Sequence, residues 1–576
     1  MSDEYLYNVS STPQVSSQDM IDKEVLFVQD SNGGSYSGQF VIETSSLANS
    51  GKFLAYSESY LEIPFIVSFQ ADATLTGADN LVNGFMVGLK NGHHQLIDSI
   101  QIDMGNTNVV QLQPYTNYHV SYKLNTELSN SDVRKFGDVI GFSLDDACTA
   151  TWAAGTTASG NGTSNNRLSQ SNLTAANTVS AINWRTTLEN ANVNNGLADR
   201  QKNKALDLQP AVGTITAGAG WGANPGINTT AQASTVAKNY LTSSGVAGVG
   251  NVWQWVITAT IRMRDLCDFF DKIPLLRGVF LRATINYNSV LGTITTVAAG
   301  PTMIQTSLTQ LSGRTNPLMV ASSAFGNPSN LGVAGGGGGI WSVACGIART
   351  SSPVSTVTPP ISAVRWYVPA YMLNPLKEEQ YMTMNKFKTI TYKDIYNYNV
   401  LNIASGGSFN AIITNGIVNP KKVVCIPVFN NTAGNAATAS LNPAQSFWDT
   451  VPASTSPLTA LTNFNVQISG QNMFQQNENY DFQQFLDEHS RTGINGGAFD
   501  SGIQSGLIGY KEWTHNYRYY VCDVSRRLPA ENNVPKSVVI SGTNGCGKII
   551  DLYCFVEFER RIVIDLETGQ IAKTTV

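Results

Sequence analysis

Apolar and polar residues alternate at a period of two through most of the chain, and that period predicts strands. The cleanest run is Trp253 to Met263, where Trp253, Trp255, Ile257, Ala259, Ile261 and Met263 alternate with Gln254, Thr258, Thr260 and Arg262. The same pattern predicts strands over Val25–Val28, Gln39–Glu43, Leu61–Phe69, Phe85–Leu89, Gln95–Met104, Val279–Tyr287 and Val364–Leu373. It resumes over Phe387–Tyr392, Tyr396–Ile403, Asn410–Thr414, Val423–Phe429, Phe464–Ile468 and Ser537–Ile540. Near the end Leu552, Cys554, Val556 and Phe558 alternate inward, and Ile562, Ile564 and Leu566 continue beyond Arg560. Two stretches predict helices. Ser131–Phe142 puts Val133, Phe136, Val139 and Ile140 on one face with Ser131 as N-cap, and Tyr480–His489 carries Phe482, Phe485, Leu486 and His489 at i, i+3, i+4 and i+7. Antiparallel-type patterning with few helices predicts β-sandwiches rather than an α/β fold.

A short phrase occurs twice. Residues 267–274 read Cys-Asp-Phe-Phe-Asp-Lys-Ile-Pro and residues 522–529 read Cys-Asp-Val-Ser-Arg-Arg-Leu-Pro, each between two strand-like runs. Three further pairs keep the same order: Gly33-Gly-Ser-Tyr36 with Gly406-Gly-Ser-Phe409, Ile63-Pro-Phe65 with Ile426-Pro-Val428, and Ile100–Asn106 with Val466–Asn472. Four landmarks in one order predict two copies of one domain. From Ile102 to Cys267 is 165 positions and from Ile468 to Cys522 is 54, so the first copy carries 111 extra residues there. That excess matches residues 143–250, which are rich in Ala, Gly, Asn, Ser and Thr and have little periodicity. A second such stretch, 291–362, includes five glycines at 335–339. Residues 1–22 read as a flexible polar arm, 23–380 as the first domain with both insertions, and 381–576 as the second. The boundary falls at the charged, proline-containing Asn374–Glu379.

Composition narrows the function. Charged residues are 13% of the chain, about half the usual share, and Asn, Ser, Thr, Gln and Gly take their place. A surface poor in Lys and Glu loses little side-chain entropy when buried, which suits a protein packed on many sides. Net charge is −5 and neither end is basic, which argues against direct genome packaging. The seven cysteines, at 148, 267, 345, 425, 522, 546 and 554, contain no CxxC pair and read as buried reduced thiols. The first residues, Met-Ser-Asp-Glu-Tyr-Leu-Tyr, lack an apolar signal region, and no run approaches a membrane span. The sequons at Asn8, Asn161, Asn172, Asn228 and Asn430 follow from this composition and carry no weight.

Candidate chemistry is sparse. Gly542–Lys548 fits GxxxxGK, but Ile549 replaces the magnesium-binding Ser or Thr and a strand follows instead of a helix, so a hairpin turn is expected. His93 and His94, read as extended, point to opposite faces and do not converge on one metal. Asp145 and Asp146 read as a solvated turn or helix cap. The aromatics of 115–122 and 510–520 offer either a ligand groove or, as is commoner in all-β chains, core and interface. No nucleophile has a base at recognisable spacing, and the expectation is a non-enzyme with no catalytic, cofactor-binding or metal-binding residues.

Two consecutive sandwiches, the first enlarged by polar insertions, with no catalytic set and little charge, resemble the double jelly-roll major capsid proteins of the lineage that includes adenovirus hexon and membrane-lined phages. Trp253–Asn288 and Leu61–Phe69 look most like the virophage and polinton-like virus members. The resemblance covers residues 23–576 by organisation and short phrases. It implies a homotrimer whose six jelly rolls form a pseudo-hexagonal capsomer tiling an icosahedral shell. It also implies outward towers from 143–250 and 291–362, and contacts with neighbouring capsomers, penton and minor capsid proteins and, in many members, an internal membrane. No direct sequence-specific nucleic-acid binding is implied, and the location is the virion after synthesis in the host cytoplasm. The alternative is a non-catalytic β-sandwich receptor- or carbohydrate-binding virion protein. A vertex protein is a third structural rival, usually built on one jelly roll.

Overall fold

The structure is a computed structural model. It describes residues 19–33, 36–71, 85–145, 252–297, 302–322, 340–347, 363–384, 386–430, 442–447, 453–456, 459–495, 504–525, 534–565 and 571–575, together with 196, 197, 200, 241 and 242. Chain-order strands up to the helical linker are β1 (Met20–Gln29), β2 (Gln39–Glu43), β3 (Phe53–Leu54), β4 (Tyr60–Ala71), β5 (Phe85–Leu89), β6 (Ile97–Met104), β7 (Thr107–Val110), β8 (Leu241–Thr242), β9 (Val252–Arg262), β10 (Leu281–Tyr287), β11 (Ser289–Val297), β12 (Thr302–Ser312), β13 (Leu318–Ser322), β14 (Ile340–Ile347) and β15 (Arg365–Leu373). After it come β16 (Phe387–Ile403), β17 (Ser408–Val418), β18 (Pro420–Phe429), β19 (Leu461–Ile468), β20 (Gln471–Asn472), β21 (Tyr520–Asp523), β22 (Pro535–Asn544), β23 (Ile550–Asp565) and β24 (Ile571–Thr575). Five helices matter below: α1 (Thr116–Glu127), α2 (Asp268–Lys272), α3 (Pro375–Met384), α4 (Phe482–Asn495) and α5 (Tyr510–His515).

The strand order is the same in both halves. In the second, one sheet runs β16-β23-β18-β21 and the other β17-β22-β19-β20. In the first, β1-β15-β4 continues to β9, and the facing sheet runs β2-β10-β6-β7. Lettering the principal strands B to I in chain order gives B-I-D-G over C-H-E-F in each half. That is the jelly roll. Every pairing is antiparallel. Alternation selects the inner faces: Leu281, Ala283, Ile285 and Tyr287 of β10 are buried between the sheets, while Arg282 faces out. Phe40, Ile102 and Ile285 meet Leu61, Ile63 and Trp366 from the opposite sheet in one core that continues through the second half.

The repeat landmarks fall on equivalent connections, although not always in register. Gly33 (φ 63°) and Gly406 (φ 69°) both make the B–C turn, in a left-handed conformation that glycine adopts without strain. Ile63-Pro-Phe65 and Ile426-Pro-Val428 both lie in strand D, but Ile63 faces the core while Pro427 is the residue opposite the inward Leu552. The E–F hairpins match when Met104↔Thr107 is set on Ile468↔Gln471, two residues from the gapless text match. Cys267 and Cys522 both belong to the G–H connection. Cys267, however, sits between helical turns Met263–Leu266 and Asp268–Lys272, whereas Cys522 is still in β21.

Several expectations change. The described parts of 291–362 form most of β11 and all of β12, β13 and β14; β14 pairs with the upper part of β4 and β11 with β14, so these parts are a sheet extension, while 298–301, 323–339 with the five glycines, and 348–362 lie outside the described residues. Of 143–250, the structure describes only 143–145, 196, 197, 200, 241 and 242, and the rest lies outside the described residues, as do residues 1–18. Strand β1 starts at Met20, within the stretch read as an arm. The helix start near 131 is capped by Ser129, not Ser131. Ser129 accepts from Asp132 N–H, whose carboxylate accepts from Ser129 N–H, and a π turn over Val133–Gly137 follows. The strands expected at 387–392 and 396–403 are one strand, β16.

Candidate functional site: the joint between the two sandwiches

The two sandwiches meet where the first lays its F strand and following helix, α1, on the outer side of the second's B-I-D-G sheet. Strand β23 presents Leu552, Cys554, Val556 and Phe558 to its own core, leaving Tyr553, Phe555 and Glu557 on the outer face, where they too are buried. Tyr115 packs tilted and Tyr118 edge-on against Tyr553, at 4.7 and 5.3 Å between ring centroids. Tyr122 meets Tyr519 edge-on at 5.1 Å. Tyr115, Tyr118, Tyr122 and Tyr519 therefore share one interface, while Trp513 and Tyr520 pack inside the second sandwich and Tyr510 is exposed; this is the core-and-interface alternative of the sequence reading. Each buried ring contributes about 1.5–3 kcal/mol of apolar burial.

Polar groups fix the register of this apolar contact. His119 Nε2 lies 3.0 Å from Glu557 Oε1, and Lys422 Nζ lies 3.2 Å from the same oxygen. Burial alone would raise the Glu557 carboxyl, but Lys422 and His119 hold it well below the usual carboxylate range. Further along, Arg560 donates to Val109 O (2.9 Å) and Asn108 O (3.1 Å) and pairs with Asp394 (3.0 Å). Asp394 also accepts from Gln111 N–H. Burial raises the Asp394 carboxyl despite Arg560 beside it, so desolvation outweighs the pair. The edge of β16 is closed by side chains of the first sandwich: Lys393 N–H donates to Asp268 and Asn397 N–H to Gln113. Between these contacts lies a cleft of about 630 Å³, including solvent at its mouth, lined among others by His119, Lys123, Asp268, Lys393 and Glu557. Burial pushes the thiol of Cys267 on its wall far up, which makes it a poor nucleophile.

A second contact joins the sandwiches at the sheet extension. Loop 442–447 seats against β12 and β13: Asn316 N–H donates to Ala444 O, Val320 N–H to Phe447 O, and Gln305 exchanges hydrogen bonds with Gln445 O and Phe447 N–H. Lys90 reaches Pro443 O from a buried position, where burial pulls its ammonium down to about 7.

The remaining candidates turn out structural. Gly542–Lys548 closes the β22–β23 hairpin, as expected. Asn544 Nδ2 donates to Ile403, Ala404 and Lys548 carbonyls while its Oδ1 accepts from Cys546 N–H, so loop amides are used internally rather than aimed at an anion. His93 and His94 are in a short 3-10 turn, not a strand; His93 Nδ1 is 3.0 Å from Thr260 O and His94 Nε2 is 2.8 Å from Ser121 Oγ. Asp145 is not solvated. It is buried, pairs with Arg200 at 2.7 Å and accepts from Ala453 N–H, while Asp146 lies outside the described residues. The six described cysteines are buried and form no disulfide with one another, and Cys148 lies outside the described residues. No group of three or more His, Cys, Asp or Glu suited to a metal occurs among the described residues. Of the sequons, Asn430 is described and its amide donates to Asn402 and Asp551.

No protein-family model matches the chain, and no curated protein matches it significantly. Solved structures similar to it include a chain of the Sputnik virophage (11% identity, all of this chain and 93% of that one, TM-score 0.45). The mavirus major capsid protein is similar at 9% identity over 99% of this chain and 95% of that one (TM-score 0.42), and the Faustovirus major capsid protein at 9% over 97% and 93% (TM-score 0.38). On the strand order of its own four sheets, B-I-D-G over C-H-E-F twice in one chain, this protein is a double jelly roll.

Proposed function

We propose that this chain is a major capsid protein that assembles as a homotrimer, its six jelly rolls forming a pseudo-hexagonal capsomer of an icosahedral shell. The observation that carries the reading is the duplicated jelly roll held as one body by a buried joint. Two similar domains per chain let a trimer present six similar sides, as tiling requires. On this reading 23–380 and 381–576 are the two domains, and β11–β14 with 143–250 are the outward towers. The partners are neighbouring capsomers and penton and minor proteins, with an internal membrane beneath them in those members of the lineage that carry one. The site of action is the virion, after synthesis in the host cytoplasm. Its mechanism is burial of large, charge-poor side faces, without covalent chemistry.

Light scattering across a range of salt tests it. A stable particle of three times 62.0 kDa is the expected result, and a monomer at every concentration would overturn it. A nucleotide-using enzyme, the rival from another class, requires Lys548 to hold phosphate. The exposed position of Lys548 on a hairpin predicts no measurable nucleotide affinity, in wild type or in Lys548→Ala, by titration calorimetry.

A further inference from the structure

The internal joint covers one of two equivalent faces and leaves the other bare. In the second sandwich the row Asn397–Phe555–Val424 crosses strands B, I and D. All three residues are buried, with the His119 ring of α1 5.6 Å from Phe555. The equivalent row of the first sandwich is Phe27–Tyr367–Tyr60. It is open: Phe27 is 47% exposed and Val25, on the same face, 51%. Strand β1 pairs with β15 alone, so among the described residues its other edge has no strand partner, whereas the same edge of β16 is closed by Gln113 and Asp268. On the open face the half-buried Arg365 stacks over Phe27 and donates to Tyr367.

The covering elements also exist twice. The E–F register sets Asn472, Met473 and Gln475 on Asn108, Val109 and Gln111. In the first sandwich those residues accept from Arg560 or donate to Asp394. In the second, Gln471, Asn472, Gln475, Gln476 and Asn477 are exposed. This segment and the start of α4 carry Glu478, Asp481 and Asp487 and no Lys or Arg, a suitable acceptor surface for Arg365.

We infer that the open face and edge of β1 receive the Gln471–Asn479 segment and α4 of a second copy, repeating between chains the joint found within one. The contact is head-to-tail between unlike surfaces, so it closes into a ring or grows without limit. The inference rests on the capsomer reading, which selects the closed ring of three chains.

The test pairs a surface variant with a cross-link. Val25→Asp with Phe27→Asp should convert the trimer to a monomer that keeps its β-sheet circular dichroism and unfolds cooperatively, whereas Phe27→Tyr should keep the trimer. Val25→Cys with Gln476→Cys in one chain, treated with a short bis-maleimide, should give covalent species of two and three chains and none larger, with wild type as the control for native thiols. A wild type that is monomeric sinks the capsomer reading itself. A trimer that survives the aspartates, and whose double-cysteine variant yields no cross-linked product, leaves that reading standing and overturns this interface. So do dimers formed by Val25→Cys alone, which would mean like-with-like contact. Should the aspartates impair folding, the cross-link decides.

Discussion

Glu557 and Asp394 occupy the same buried joint and titrate in opposite directions, because Lys422 and His119 flank Glu557 while Arg560 alone flanks Asp394. A buried pair is weak evidence for net stability, but losing one partner leaves a charge stranded. Arg560→Ala should therefore cost about 3–5 kcal/mol in urea unfolding, and Arg560→Met together with Asp394→Leu should recover only part of it, because Val109 O, Asn108 O and Gln111 N–H lose their partners. A loss below about 1 kcal/mol for Arg560→Ala would mean that solvent reaches the pair. His94 supplies a pH dependence. Burial, then the charge of Arg200, pull its imidazole down to about 3, from the ordinary value of 6.5. Around it are Ser121 and Gln95. The unfolded chain takes up this proton first, so its contribution is complete above about 6.5 and is lost as pH falls toward 3, at about 1.4 kcal/mol per unit. His94→Gln should flatten the fall in thermal midpoint between about pH 6.5 and 4.5, and an unchanged slope would remove His94 from the account. None of these roles is legible in the sequence. Arg560 and Asp394 read as isolated charges because they meet each other across strands β16 and β23, and their backbone partners Val109, Asn108 and Gln111 lie in the other sandwich, at sequence separations that no local pattern spans.

At the scale of elements, the strands are legible and the joint is not. Tyr118, Val120, Tyr122 and Leu124 fall at i, i+2, i+4 and i+6, which imitates a strand, yet they lie on helix α1. Both sandwiches cover this helix, so almost every position is buried and the 3.6-residue period vanishes. Strand β16 reads as broken at Lys393–Asp394–Ile395, where Lys393 N–H donates to Asp268 and Asp394 accepts from Gln111 N–H of the first sandwich. Polarity inside a buried strand thus marks a docking site rather than a loop. The sheet extension makes a prediction of its own. A Cβ on Gly292 would run into the Phe447 ring. Gly292→Ala should displace that ring, speed hydrogen exchange at the amides of 444–447 and cost about 1–3 kcal/mol. Unchanged exchange there would show that loop 442–447 is held without Phe447.

The whole molecule is the most legible level, because a duplicated architecture leaves marks at several separations at once. The short phrases identify the right connections even where their residues do not superpose: strand D is shared although its prolines face opposite ways, and the E–F hairpin is shared with a two-residue slip. Topology tolerates such slips as long as each strand keeps an inward face. Low charge points to a body buried on its sides, and the bare face of β1 beside the covered face of β16 is where that composition meets the structure. The most direct measurement of the central claim is electron microscopy of the purified protein, averaged along its symmetry axis. A three-fold particle with a six-sided outline, two lobes per chain, is the predicted result. Two-lobed single chains, or filaments without closure, would contradict it.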